Sequence, residues 1–176
     1  MNSLSGMVEL LSGGDLRSIG KSSLMVAKVH NQSDFDNLFQ CLSHKNRIVV
    51  MRAADAIEKI TVEKPQYLAN HKKKILDLCN TASNKELKWH LATIITRLEF
   101  SDVETNQIWR LLKKWSFDKN ESRIVRVNSL QGLFDLTKKS ETPGEDFNAI
   151  MEDLERERIP SLNARIKKIK KVAAKS

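Results

Sequence analysis

The sequence has few of the residues that interrupt helices: six glycines and three prolines among 176 residues. It also lacks the long apolar runs that are typical of buried β-strands. These absences favour an all-α chain. A chain of this length can bury one continuous core, so we expect a single domain over residues 1–176.

Features of membrane-spanning and secreted proteins are missing too. No run approaches the roughly 18 apolar residues that cross a bilayer, and no basic stretch leads into an apolar block near the start. The two cysteines, Cys41 and Cys79, are 38 residues apart. We expect them to be buried, reduced thiols rather than a disulfide or a metal pair, which suits a cytoplasmic (intracellular) protein.

The excess of positive charge is confined to one end of the chain. The formal net charge is +8, but residues 156–176 hold eight basic residues against one acid, Glu157. The other 155 residues hold 22 basic and 21 acidic residues. Any preference for an anionic partner therefore has to come from the C-terminal segment or from local patches.

Three stretches, 49–60, 87–98 and 125–136, match one another at a fixed offset of 38 residues. Each has the same order of apolar and polar positions, with the three- and four-residue spacing of a helix. The polar positions fall in three columns: Arg52/His90/Asn128, Asp55/Thr93/Gln131 and Lys59/Arg97/Asp135. A fixed period with helical spacing inside it is typical of stacked repeat proteins.

Each stretch is predicted to be the second helix of a pair. The predicted second helices cover about 18–29, 46–60, 85–98 and 123–137. Shorter first helices are predicted over 34–42, 66–79 and 103–114. Ser33, Pro65 and Ser101 suit the starts of these first helices. Pro160 is predicted to begin a basic capping helix over about 160–173.

The best-formed second helix, residues 51–60, reads MRAADAIEKI. It resembles the second helix of a HEAT repeat, in which an apolar residue, an Arg, a variable residue and an Ala precede further apolar residues. The resemblance covers roughly residues 16–172, with His90 and Asn128 where the family has Arg. It implies an all-α, α-α superhelix (a right-handed solenoid) of four to five HEAT-like (armadillo-like) pairs.

Motifs of catalytic proteins do not fit. Residues 13–22 look like a phosphate-binding loop, but five residues instead of four separate Gly14 from Gly20, and Asp15 would repel phosphate. The histidines lack metal-site spacing, and the tryptophans fit core positions. We therefore predict no metal, no cofactor and no catalytic residue. A base-excision activity like that of HEAT-like DNA glycosylases is the third choice, because no aromatic cluster accompanies Asp55 or Asp135.

Second helices of such a solenoid line its concave surface, so the polar columns are candidates for contact with a partner. Two rows carry most of the charge across the units: Lys21, Arg52, His90 and Asn128, and Lys28, Lys59, Arg97 and Asp135. Asp55 lies between them. Arg47, Lys85 and Arg123 form a further row at the helix starts, where free backbone N–H groups could bind anions. The alternative is a solvated ladder of side chains that pair within and between units.

The basic helix near the C-terminus has two interpretations. Leu162, Ile166, Ile169 and Ala173 give it one apolar face, as in a terminal cap. Its other faces carry the basic residues Arg165, Lys167, Lys168, Lys170 and Lys171. These could contact nucleic acid or an anionic membrane surface.

The functional hypothesis is a non-enzymatic scaffold whose concave surface binds a protein partner through an acidic segment. The alternative is a nucleic-acid-binding module that places the groove and the basic helix on phosphates. Neither the partner's identity nor the oligomeric state follows from the sequence.

Overall fold

The structure, a computed structural model, describes residues 3–14, 20–139 and 147–175. These residues form α-helices joined by short turns and 3-10 segments. The α-helices are α1 (Leu4–Leu11), α2 (Gly20–Val26), α3 (Gln32–Gln40), α4 (Arg47–Glu63), α5 (Lys72–Thr81), α6 (Lys85–Ile94), α7 (Asp102–Phe117), α8 (Arg123–Thr137), α9 (Phe147–Arg156) and α10 (Pro160–Ala173). None of the described residues lies in a β-strand.

Local capping explains several helix starts. Ser101 forms a capping box with Glu104 at the start of α7, as its sequence position predicts. The predicted start at Ser33 is wrong, since α3 begins at Gln32 and the Asn31 side chain accepts the N–H of Asp34.

The predicted helix 66–79 is divided into two parts. Residues Pro65–His71 form a 3-10 helix, and α5 follows it. The division occurs at His71, whose Nε2 lies 2.7 Å from Asp36 Oδ1 and whose ring stacks on Phe39 at 3.9 Å. These contacts with α3 are tertiary, so the periodicity of the segment could not reveal them.

The chain divides into two compact units, Met1–Leu98 (unit one) and Glu99–Ser176 (unit two). In unit one the second helices α2, α4 and α6 pack in succession, with α4 in the middle. Its α4 is buried along most of its length. The single domain predicted over residues 1–176 stays a prediction.

Unit two is built around the packing of α7 on α8, with α10 packed on α8 and α9. Trp109 and Trp115 are buried in it, as expected of core tryptophans. Leu162, Ile166 and Ile169 of α10 are buried, whereas Ala173 is exposed because it lies beyond the packed part of the helix. The apolar face of α10 therefore closes this unit in the manner of a cap.

The predicted fold class is confirmed. The described residues form an all-α chain, and the second helices of unit one pack side by side, as in an α-α superhelix of HEAT-like pairs.

Both cysteines are free and buried, in agreement with the expectation of reduced thiols. Burial raises the pKa of Cys41 to about 11 and that of Cys79 to about 12. An unfolded Cys has a pKa near 8.5. The raised pKa values therefore stabilise the folded state in full below that pH. This contribution to stability is lost as the pH rises towards 11–12.

We expect iodoacetamide at about pH 8 to leave both thiols of the native chain unmodified, because thiolate is the reactive form. The same treatment in guanidinium chloride should modify both, as counted by mass spectrometry. Labelling of the native chain at the rate of the unfolded chain would contradict the burial.

Candidate partner-binding surface

Arg52, the charged residue of the best-formed repeat, is 0 % exposed. Its Nη1 donates hydrogen bonds to the carbonyl oxygens of Leu11 (2.7 Å), Ser12 (3.3 Å) and Gly13 (2.6 Å). These oxygens lie at the C-terminal end of α1, where helix carbonyls have no intrahelical partner and attract cations. The expectation that Arg52 faces a groove is therefore wrong, because its guanidinium is used to hold the end of α1.

The turn after α1 is shaped for this contact. Gly13 and Gly14 have φ of 74° and 75°, a left-handed conformation that glycine adopts without strain. A Cβ on Gly14 would lie only 3.2 Å from Arg52 Nη2. Lys21 Nζ also donates a hydrogen bond to the carbonyl oxygen of Ser12.

This turn differs in polarity from a phosphate-binding loop, which offers N–H donors to an anion. Here the carbonyl acceptors of residues 11–13 meet two cationic side chains, Arg52 and Lys21. Residues 15–19 of the rejected motif lie outside the described residues.

His90 is also buried, at 5 % exposure, and its Nδ1 lies 2.5 Å from Glu58 Oε2 on the preceding second helix. Arg97, just after α6, donates to the Glu58 carbonyl and to Thr61 Oγ1 (2.6 Å). Side chains at and after α6 are thus tied to α4 through positions that the sequence assigned to the groove.

The same arrangement joins α4 to α2. Asp55 accepts a hydrogen bond from the Ser22 hydroxyl. Lys59 Nζ lies 2.6 Å from Asp55 Oδ2, 3.1 Å from Ser22 Oγ and 3.5 Å from Ser23 Oγ. The Lys59 side chain nevertheless stays 40 % exposed. The polar columns therefore form a hydrogen-bonded ladder between successive second helices, as in the alternative of paired side chains.

The three cations at the helix starts differ in their contacts. Arg47 pairs with Glu86 of α6 through Nη2 at 2.6 Å, and the Glu86 side chain is nearly buried. Lys85 and Arg123 are exposed. Within the described part of the chain, no ion pair engages Lys85 or Arg123.

Lys21 lies near the start of α2, and Lys28 lies just beyond its end. Together with residues of α1 they line a cavity of about 520 Å³. Lys21 is half-buried and Lys28 is exposed. The residues of each predicted row therefore lie in different environments within unit one. Asn128, Gln131 and Asp135 belong to unit two.

The basic helix α10 also combines pairing with exposure. Arg165 Nη1 donates to Gln131 Oε1 (2.8 Å), and Lys170 pairs with Glu155 (2.8 Å). Lys167, Lys168 and Lys171 are exposed. Because the apolar face of α10 is buried, that face cannot enter a membrane while unit two is folded.

Sequence analysis missed Arg126, which is buried in unit two. Its Nε donates to the carbonyl oxygen of Ser116 near the end of α7 (2.8 Å), and its Nη2 lies 2.7 Å from Glu157 Oε1. A signal was present, since Leu130 and Leu133 follow Arg126 at four and seven residues and place it on a buried helix face.

Over residues 3–14, 20–139 and 147–175, no group of three or more His, Cys, Asp or Glu is arranged to hold a metal ion. No helix there has both the length and the hydropathy to cross a bilayer.

In comparison with known families, residues 14–173 match the HEAT repeat domain. No curated protein and no solved structure matches the chain significantly.

Proposed function

The chain belongs to the HEAT repeat family, and from this premise we propose that it is a non-enzymatic module whose concave surface binds an acidic segment of a partner protein. HEAT repeats in general serve as scaffolds for protein interactions, and the family is typically non-enzymatic. For this chain we propose in addition the charge of the partner and the surface that binds it.

One observation carries the proposal: Lys59 and Arg97 belong to successive layers of unit one, at α4 and just after α6. Lys59 contacts Ser22 and Ser23 of α2, and Arg97 contacts Glu58 and Thr61 of α4. These contacts fix each cation against the layer before it. An extended acidic segment running across the layers would meet one positive charge per layer.

The exposure of these side chains supports the same conclusion. The Lys59 side chain is 40 % exposed and Arg97 is half-buried. A carboxylate of the partner would share Lys59 with Asp55, whose side chain is only 17 % exposed. Partly desolvated charges interact more strongly than fully solvated ones.

Charge reversal at Lys59 tests the proposal. We expect Lys59→Glu to weaken binding of a fluorescent glutamate-rich peptide by about tenfold or more, measured by fluorescence anisotropy. Lys114→Glu makes the same charge change at an exposed position of α7 and should leave the affinity within about twofold. Equal effects of both variants would show that the peptide senses only net charge, and the assigned surface would be wrong.

Nucleic acid is the alternative ligand, favoured by the exposed Lys167, Lys168 and Lys171 on α10. Its binding should weaken steeply with salt, with a log–log slope of about −0.9 per phosphate contacted. Tighter binding of duplex DNA or RNA than of the peptide, with such a slope and with sensitivity to Lys168→Glu, would replace the protein partner by nucleic acid.

A further inference from the structure

The α1–α2 groove is an apolar cavity of about 520 Å³ on unit one. It is lined by Gly6, Met7, Glu9, Leu10, Lys21, Leu24, Met25 and Lys28. Met7 and Leu10 are three residues apart on α1, and Leu24 follows Lys21 by three residues on α2, so each set lies on one helix face. Two such faces side by side leave a furrow of the kind into which a third helix packs.

The groove is open to solvent. Leu24 is 57 % exposed, so no other element in the described part of the chain covers it. On its inner side α2 packs against α4. An exposed apolar groove between two helices suits a further helix packed across it.

Charge around the groove selects the chemistry of that helix. Lys21 lies near the start of α2, and Lys28 lies just beyond its last residue, Val26. Glu9 lies on the α1 side. A complementary helix would therefore carry carboxylates on the edge facing α2, and a basic residue on the edge facing α1.

A second copy of this chain fits the groove poorly. The net charge of +8 opposes self-association at a site with two lysines and one acid. The acid-rich helix α9 already buries its apolar residues Ile150, Met151 and Leu154 within unit two. The occupant with complementary charge is a different, acidic protein.

We propose that the α1–α2 groove docks an amphipathic, acidic helix of a partner protein, with apolar side chains against Leu10 and Leu24 and carboxylates on Lys21 and Lys28. This rests on the proposed function insofar as the partner is acidic. It adds a site that recognises helical shape and apolar surface, which a glutamate-rich extended segment would not fill.

The test uses two peptides of equal composition, rich in Leu and Glu, with the full chain. One has an apolar helical face flanked by glutamates, and the other is scrambled so that no such face forms. We expect the amphipathic peptide to bind about tenfold or more tightly than the scrambled one, and Leu24→Asp to remove most of that advantage. Val103→Asp, a matched change at a 68 % exposed valine in unit two, should have no effect.

Met7 and Met25, which are buried beneath the groove at 2 % and 0 % exposure, report where the peptide binds. With carbon-13-labelled methionine methyl groups, the peptide should shift the signals of Met7 and Met25 and leave that of Met151 in unit two unchanged. Circular dichroism and melting of Leu24→Asp should match the unaltered chain, since Leu24 is exposed.

Three results would overturn the inference: unchanged Met7 and Met25 signals, normal binding of the amphipathic peptide by Leu24→Asp, or a dimer in sedimentation that Leu24→Asp converts to monomer. The last would assign the groove to a second copy. In each case, the change in affinity of the glutamate-rich peptide caused by Lys59→Glu tests the proposed function independently.

Discussion

Replacing Arg52 by alanine is expected to lower the free energy of unfolding by about 3–5 kcal/mol. The change removes a fully buried guanidinium and leaves the carbonyl oxygens of Leu11 and Gly13 without their short hydrogen bonds. Each unsatisfied buried acceptor costs about 1–3 kcal/mol, and the lost side-chain volume adds a cavity. Urea unfolding followed by circular dichroism measures the difference.

The loss should be felt first at α1, because Arg52 holds the C-terminal carbonyls of that helix. Hydrogen exchange in α1 should accelerate more than in α6. The matched control is Arg156→Ala, since the Arg156 side chain is 73 % exposed and forms only surface ion pairs. Such pairs contribute about 0–1 kcal/mol. If Arg52→Ala is no more damaging than Arg156→Ala, Arg52 does not have the structural role described above.

Glu157→Ala is expected to destabilise the protein by about 3 kcal/mol, because it leaves Arg126 buried without its carboxylate. The Arg126 side chain is 3 % exposed and that of Glu157 is 17 % exposed. Removing one partner of a buried pair is more damaging than removing both. The double variant Arg126→Met with Glu157→Leu should therefore recover part of the lost stability, while the Ser116 carbonyl loses its hydrogen bond from Arg126 Nε.

The control for this pair is Glu155→Ala. Glu155 pairs with Lys170, but both side chains are about half exposed, so the expected loss is about 0–1 kcal/mol. Thermal unfolding of these three variants and the unaltered chain measures the differences. A Glu157→Ala chain that melts with the Glu155→Ala chain would contradict the buried pair.

Most of the fold could be predicted from periodicity. The offset of 38 residues and the three- and four-residue spacing indicated paired helices, and α4, α6 and α8 begin at Arg47, Lys85 and Arg123, within a residue of the predicted starts. Helix starts depend on neighbouring side chains, which the sequence displays directly. The start of α5 was missed because it depends on the tertiary contact of His71 with Asp36 of α3.

The candidate surface was less predictable. Arg52 and Lys59 are seven residues apart on one helix face, yet Arg52 is buried under the end of α1 while Lys59 reaches solvent. Helical spacing states which residues share a face, but not whether a turn from elsewhere in the chain covers part of it. Arg126 is the reverse case, a buried cation that caps α7 from a position assigned to no site.

The sequence alone determined that this chain is a set of helix pairs with a neutral body and a basic end, because helical periodicity and net charge are properties of neighbouring residues. Only the tertiary structure decided which cations bind backbone carbonyls and which remain for a partner. The physical reason is that a guanidinium or ammonium group pairs with whatever acceptor lies within hydrogen-bonding distance. For Arg52 that acceptor is about 40 residues away in the chain.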